Sequence, residues 1–192
     1  MRRNYLMALI AAFTLAACGG DGDGGTGPGN GGNPAFTATV TGDVETTVKG
    51  DAMFGEVSDP QAGQIFAVEM SEDDPTGGAL IQIIRMGSGI PGTGTYPLLD
   101  GINGTPAEGD WVAAAYDSEN GQLVGLFVAT SGSVKVTSAS SSSFEGTFDF
   151  IAVGGLIADP SQEMTIAVNG KFKAKSAPGG AMLRAPISRM HR

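Results

Sequence analysis

The chain has 192 residues, with 20 acidic against 11 Lys and Arg side chains and a formal charge of −9. Such an acidic chain repels nucleic acid and anionic headgroups, so no nucleic-acid partner is expected. His191 is the single histidine and Cys18 the single cysteine, which excludes Ser-His and Cys-His nucleophilic catalysis, His-built zinc sites and an internal disulfide.

Arg2 and Arg3 precede an uncharged apolar run of 13 residues, Tyr5 to Ala17. A membrane-spanning helix needs about 20 apolar residues, so this run predicts a secretory signal over residues 1–17. It ends Leu15-Ala16-Ala17-Cys18, which resembles the lipobox of bacterial lipoproteins. That resemblance implies a diacylglycerol thioether on Cys18, cleavage before it and acylation of the new amino group. Two or three acyl chains, at about 0.8 kcal/mol per buried methylene, give stable anchoring. Gly19 rather than Asp follows the cysteine, which by the same resemblance points to an outer-membrane address in a Gram-negative host.

Residues 18–33 form the next segment: after Cys18, Gly19 to Asn33 reads GGDGDGGTGPGNGGN and has nothing to bury. It predicts a flexible tether with a reach of roughly 20 Å. From residue 34 to 176 short alternating runs are divided by Gly, Pro, Asp, Asn and Ser, the pattern of antiparallel strands with one wet face. Phe36, Ala38 and Val40 alternate with threonines. Strands are predicted at Ala52–Val57, Gln64–Met70, Ala79–Met86, Trp111–Tyr116 and Leu123–Ala129. Val134 and Val136 alternate with Lys135 and Thr137. Phe144, Phe148 and Phe150 share one face of Ser143–Val153, where Gly146 marks a bulge or a close neighbour. Lys171, Lys173 and Lys175 alternate with Phe172 and Ala174. Leu80 to Ile84 is apolar on both faces except at Gln82 and predicts a central strand covered on both sides. The expectation is one all-β domain, an antiparallel β-sandwich of about nine or ten strands; the alternative is an up-and-down β-barrel, which could enclose a lipid.

Ser131 to Val153 (SGSVKVTSASSSSFEGTFDFIAV), with Gly94-Thr95-Tyr96 upstream, is similar to a pattern near the C-terminus of uncharacterised bacterial lipoproteins that carry a small β domain. The resemblance implies a fold and an envelope location and carries no activity. Residues 177–192 end basic, with Arg184, Arg189 and Arg192 among prolines and glycines, and predict a disordered tail; the alternative is that these arginines touch acidic lipid or the protein's own acidic body.

Candidate sites are few. Trp111, with Tyr116 and Tyr96, is the candidate ligand contact, an aromatic set able to stack on a sugar ring or on a partner's side chain. Asp100, Asn103, Glu108 and Asp110 offer oxygen ligands for calcium in one loop, and Glu72, Asp73 and Asp74 do so in another. Solvated acidic turns are the commoner origin of such sets, so no metal site is expected. Gly87-Ser-Gly89-Ile-Pro-Gly92 matches G-x-G-x-x-G by letter, but no helix is predicted after it to hold a phosphate, so it reads as a Gly-rich hairpin turn. No cofactor is expected. The function expected is a non-enzymatic envelope module, held to the membrane by its lipid anchor, that binds a glycan or an envelope protein. The alternatives are a structural envelope protein without ligand and a carboxylate-based glycoside hydrolase.

Overall fold

The computed structural model describes residues 35–177 except 60, 61, 73, 75, 76 and 121. The expected signal segment, the Cys18 lipidation site, the tether and the basic tail beyond Ala177 lie outside these residues. The described chain contains nine strands and no helix: β1 (Phe36–Gly42), β2 (Thr46–Asp59), β3 (Gly63–Glu72), β4 (Gly77–Met86), β5 (Gly94–Pro97), β6 (Trp111–Glu119), β7 (Gln122–Ala139), β8 (Ser143–Leu156) and β9 (Met164–Ser176).

The ring runs β1-β2-β3-β4-β6-β7-β8-β9, every neighbour antiparallel, and β9 pairs back onto β1 from Phe36↔Phe172 to Gly42↔Ile166. The domain is therefore a closed up-and-down barrel of eight strands, with β5 as a ninth. This overturns the sandwich. Period-two alternation is the same in both architectures, and the choice is made by the first strand pairing with the last, a contact across more than a hundred residues that no local pattern encodes. β5 pairs with residues 133–136 of β7, along the edge beyond which β6 has not yet begun. The runs Leu123–Ala129 and Val134–Thr137 are one strand, because register shifts at Ala129/Ser131 and Val136/Ser138 carry β7 through the small residues between them.

Side chains from all eight ring strands fill the barrel in one contiguous cluster. Phe54, Phe66 and Phe144 meet at centroid distances of 4.9 to 5.8 Å, and Phe148 lies 6.0 Å from Phe150. An eight-stranded barrel has room for side chains or for one small ligand; here side chains take the space, and so many rings fit because glycine stands opposite the ring. Phe36 faces Gly50, Phe127 faces Gly154, Phe150 faces Gly132, Phe172 faces Gly146 and Phe148 faces Gly170. A Cβ on Gly146 would meet Phe172 at 2.9 Å, and the adjoining register shift makes this glycine both a close neighbour and a bulge companion. Each buried phenylalanine contributes roughly 1.5–3 kcal/mol of transfer free energy, before the entropy of ordering it.

The outside of the barrel has two characters. On β8, β9 and β1 it is polar apart from Ile151: Glu145 pairs Lys173 at 2.9 Å, Thr147 faces Lys171, and Thr37 and Thr39 stand beside Lys49 and Thr47. On β2, β3, β4, β6 and β7 it is apolar, with Val57, Ile65 and Met86 in one row, Ala67, Ile84 and Val112 in the next, and Ala114 beside Val128. These outward side chains are buried. β4 is thus covered on both faces, as the Leu80–Ile84 run predicts: Ile81 and Ile83 point inward, Gln82 and Ile84 outward.

Candidate functional site

Connections alternate between the two ends of an up-and-down barrel. Ala35, the β2–β3 turn, the long β4–β6 connection, the β7–β8 turn and Ala177 lie at one end, called here the terminal end. The β1–β2, β3–β4, β6–β7 and β8–β9 turns lie at the other, the distal end. Both described chain ends are fastened at the terminal end: Lys173 N donates to Ala35 O at 2.7 Å and Ala177 N donates to Phe54 O at 3.0 Å.

Trp111 and Tyr96 come together at the terminal end, and Tyr116 does not join them. β5 aligns Tyr96 beside Val134, and the two rings stack at 4.9 Å and 23°. Tyr96 Oη donates to Gly92 O at 2.9 Å, which holds the ring over the indole. Trp111 is 2% exposed and belongs to the interior cluster. Among the described residues its Nε1 is a buried donor without an acceptor. The Gly87–Gly92 segment crosses the same mouth. Arg85 Nη1 donates to Ser88 O at 3.0 Å and to Gly89 O at 3.3 Å, and Gly89 N donates to the Glu56 carboxylate. Gly87 and Gly89 take positive φ values of 98° and 85°, which this strap requires and a side chain would resist. The segment is not a hairpin turn, since the strand it leads to pairs with β7 and not with β4.

Tyr116 stands on the outer wall, in a polar line that sequence reasoning missed. Its Oη donates to Gln82 Oε1 at 3.1 Å, and Gln82 Nε2 donates to Glu69 Oε2 at 3.4 Å. The three belong to β6, β4 and β3, where Glu69 is directly opposite Gln82. Glu69 is 4% exposed, and burial holds its carboxyl above the usual carboxylate range, opposed by the Gln82 hydrogen bond. Burial, with the Glu69 charge adding to it, drives the Tyr116 phenol far above its ordinary value. The signal available beforehand was Gln82 within Leu80–Ile84, a polar residue on a strand otherwise apolar on both faces.

The acidic loops use their carboxylates internally. Asp100 accepts from Ile102 N, Asn103 N and Asn103 Nδ2 at 2.9 to 3.0 Å, which pulls its carboxyl below the usual range. Asp110 accepts from Ala107 N at 2.8 Å, the Glu108 side chain lies beside Gly87, and Glu72 accepts from Ala79 N at 3.3 Å. Asp73 lies outside the described residues. Among the described residues no group of three or more His, Cys, Asp or Glu side chains is placed to hold a metal ion.

The distal end carries a feature of another kind. Leu123 on β7 and Leu156 and Ile157 at the end of β8 are 39%, 43% and 54% exposed. Ile157 N donates to Val124 O at 2.9 Å, and Leu156 faces Gly125, so the three side chains lie on adjoining backbone. The turns of this end carry Asp43, Glu45, Glu72, Asp74, Glu119, Asp159 and Glu163.

No protein-family model matches the chain, and neither does any curated protein or solved structure. The class defined by the fold is an up-and-down barrel with a filled interior.

Proposed function

We propose that the protein is a lipid-anchored envelope module, without enzymatic activity, that presents its distal end to a protein partner. The supporting observation is the placement of Leu123, Leu156 and Ile157 at the end opposite Ala35. A tether joined to Ala35 and fixed to the bilayer through Cys18 turns the terminal end toward the membrane and the distal end away from it. Exposed aliphatic side chains grouped within an acidic rim fit a partner surface that is apolar at its centre and basic around it. A protein fits this better than a glycan, because sugar rings stack on aromatic faces and the Trp111 ring is taken up by Tyr96 and the barrel core.

Two measurements test the reading. Metabolic labelling with an alkyne fatty acid should mark the wild-type chain and not Cys18→Ser; equal labelling of both removes the anchor. A photo-crosslinking residue at Ile157 should give a discrete adduct in intact cells, which is lost in Leu123→Ser/Leu156→Ser and absent with the crosslinker at Thr39. An adduct that ignores those substitutions, or none, overturns the distal surface.

A further inference from the structure

We propose that the C-terminal segment, residues 178–192, is the cover of the apolar outer wall, lying across β2, β3, β4 and β6 with Met182 and Leu183 against Ala67, Ile84 and Val112. This is independent of the partner proposed for the distal end, because it concerns a different face.

The wall asks for an occupant. Ile65, Ala67, Ile84, Val112 and Ala114 point away from the barrel interior, yet each is buried, and Glu69 among them is buried with them. Among the described residues, Leu99 and Ile102 from the β5–β6 connection, and Ala62 and Ala177, pack against this face from beyond the strands. Ala177 is the decisive one. β9 ends by leaving the β1 edge and pairing parallel with β2, Met53↔Lys175 and Phe54↔Ser176, and Ala177, the last described residue, packs against the outer cluster.

Reach and composition agree. From Ala177 the wall extends over β2, β3, β4, β6 and β7, four strand spacings or about 19 Å. The 15 residues that follow span up to about 50 Å when extended. They include Met182, Leu183, Ile187 and Met190, with three arginines and no Asp or Glu. Residues 35–177 hold 18 Asp and Glu against 6 Lys and Arg, so a basic segment is drawn to the barrel rather than repelled. Covalent attachment next to the face adds the effective concentration of an intramolecular contact. An apolar cover also accounts for the burial of Glu69, which raises its carboxyl above the usual range against the Gln82 hydrogen bond.

The test uses the full-length chain with Cys18→Ser. In this background, Ala67→Cys combined with Leu183→Cys should form an intrachain disulfide under mild oxidation. Ile151→Cys combined with Leu183→Cys, on the polar side of the barrel, should not. Equal yields from both pairs mean a loose tail and overturn the proposal. So does an Ala67→Cys dimer, which would put a second copy on the wall, or a disulfide from Ala67→Cys to Leu9→Cys, which would put the N-terminal segment there. A second arm ends the chain after Ala177 and should raise binding of an apolar fluorescent dye several-fold, reversed by adding the 178–192 peptide. No rise in dye binding overturns the proposal. Should the shortened chain fail to fold, the disulfide pairs decide alone.

Discussion

Phe148 and Gly170 face each other across β8 and β9, and the ring lies so close that a Cβ on the glycine would sit 2.6 Å from Phe148 Cζ and 2.6 Å from the Thr37 carbonyl oxygen. One of those neighbours is backbone and cannot move aside.

Gly170→Ala should therefore destabilise the barrel by about 1–3 kcal/mol, the usual range for overpacking. In a domain of this size that is a fall of roughly 2–12 °C in the melting midpoint. Gly92→Ala, at a glycine with no atom within 4 Å of the added carbon, should stay within about 0.5 kcal/mol of wild type. Thermal melts followed by circular dichroism compare the two. Equal effects would mean that the ring does not rest on Gly170.

Phe66 and Phe144 lie 4.9 Å apart and edge-on inside the barrel. Phe66→Ala should lower stability by about 3–5 kcal/mol, transfer and cavity terms together. Urea unfolding reads this as a lower midpoint at an unchanged slope.

Trp111 separates volume from hydrogen bonding. Its Nε1 has no acceptor, and an unsatisfied buried donor costs about 1–3 kcal/mol. Trp111→Phe removes the donor and part of the ring, so the two effects offset and the change should be under about 1.5 kcal/mol. Trp111→Ala loses the stack on Tyr96 as well and should cost about 3–5 kcal/mol. A Trp111→Phe variant as damaged as Trp111→Ala would show that the indole N–H is satisfied in solution.

Glu69 gives the pH dependence. Its folded carboxyl titrates above the value of the unfolded chain, because burial disfavours the charge. Relative to a neutral residue, the wild type is at its best below the unfolded value near 4.5 and loses stability as pH rises from there through the raised folded value. Glu69→Gln should consequently be the more stable protein at neutral pH and lose that advantage in acid. Urea midpoints at pH 7 and pH 4 measure it, and an advantage that grows toward acid would reverse the sign argued here.

Much of the fold can be read from residue order. Alternation in Phe36–Val40 and Ser143–Val153 marks the strands and the inward faces, and the apolar Leu80–Ile84 run marks β4 as covered on both sides. Closure cannot be read, because Phe36 and Phe172 pair across a separation over which a sequence pattern has no memory. The aromatic set was only half legible. Tyr116 and Trp111 are five positions apart on β6, so one points out and the other in, and strand parity already separates them. Tyr96 reaches Trp111 only because β5 pairs with β7, a partnership four residues long with nothing local to announce it. Glu69 gave no warning, since a lone carboxylate in Ile65–Met70 has the spacing of a solvent-facing residue and the face it occupies is decided by β4 and β6.

β1 enters the ring with β2 on one edge and β9 on the other, both antiparallel, from its first residue. A force applied at Ala35 along the strand is thus met by two ladders loaded in shear, where many hydrogen bonds must yield at once, and not by one that opens like a zipper. A pull on that residue would be spread through the seam that closes the barrel.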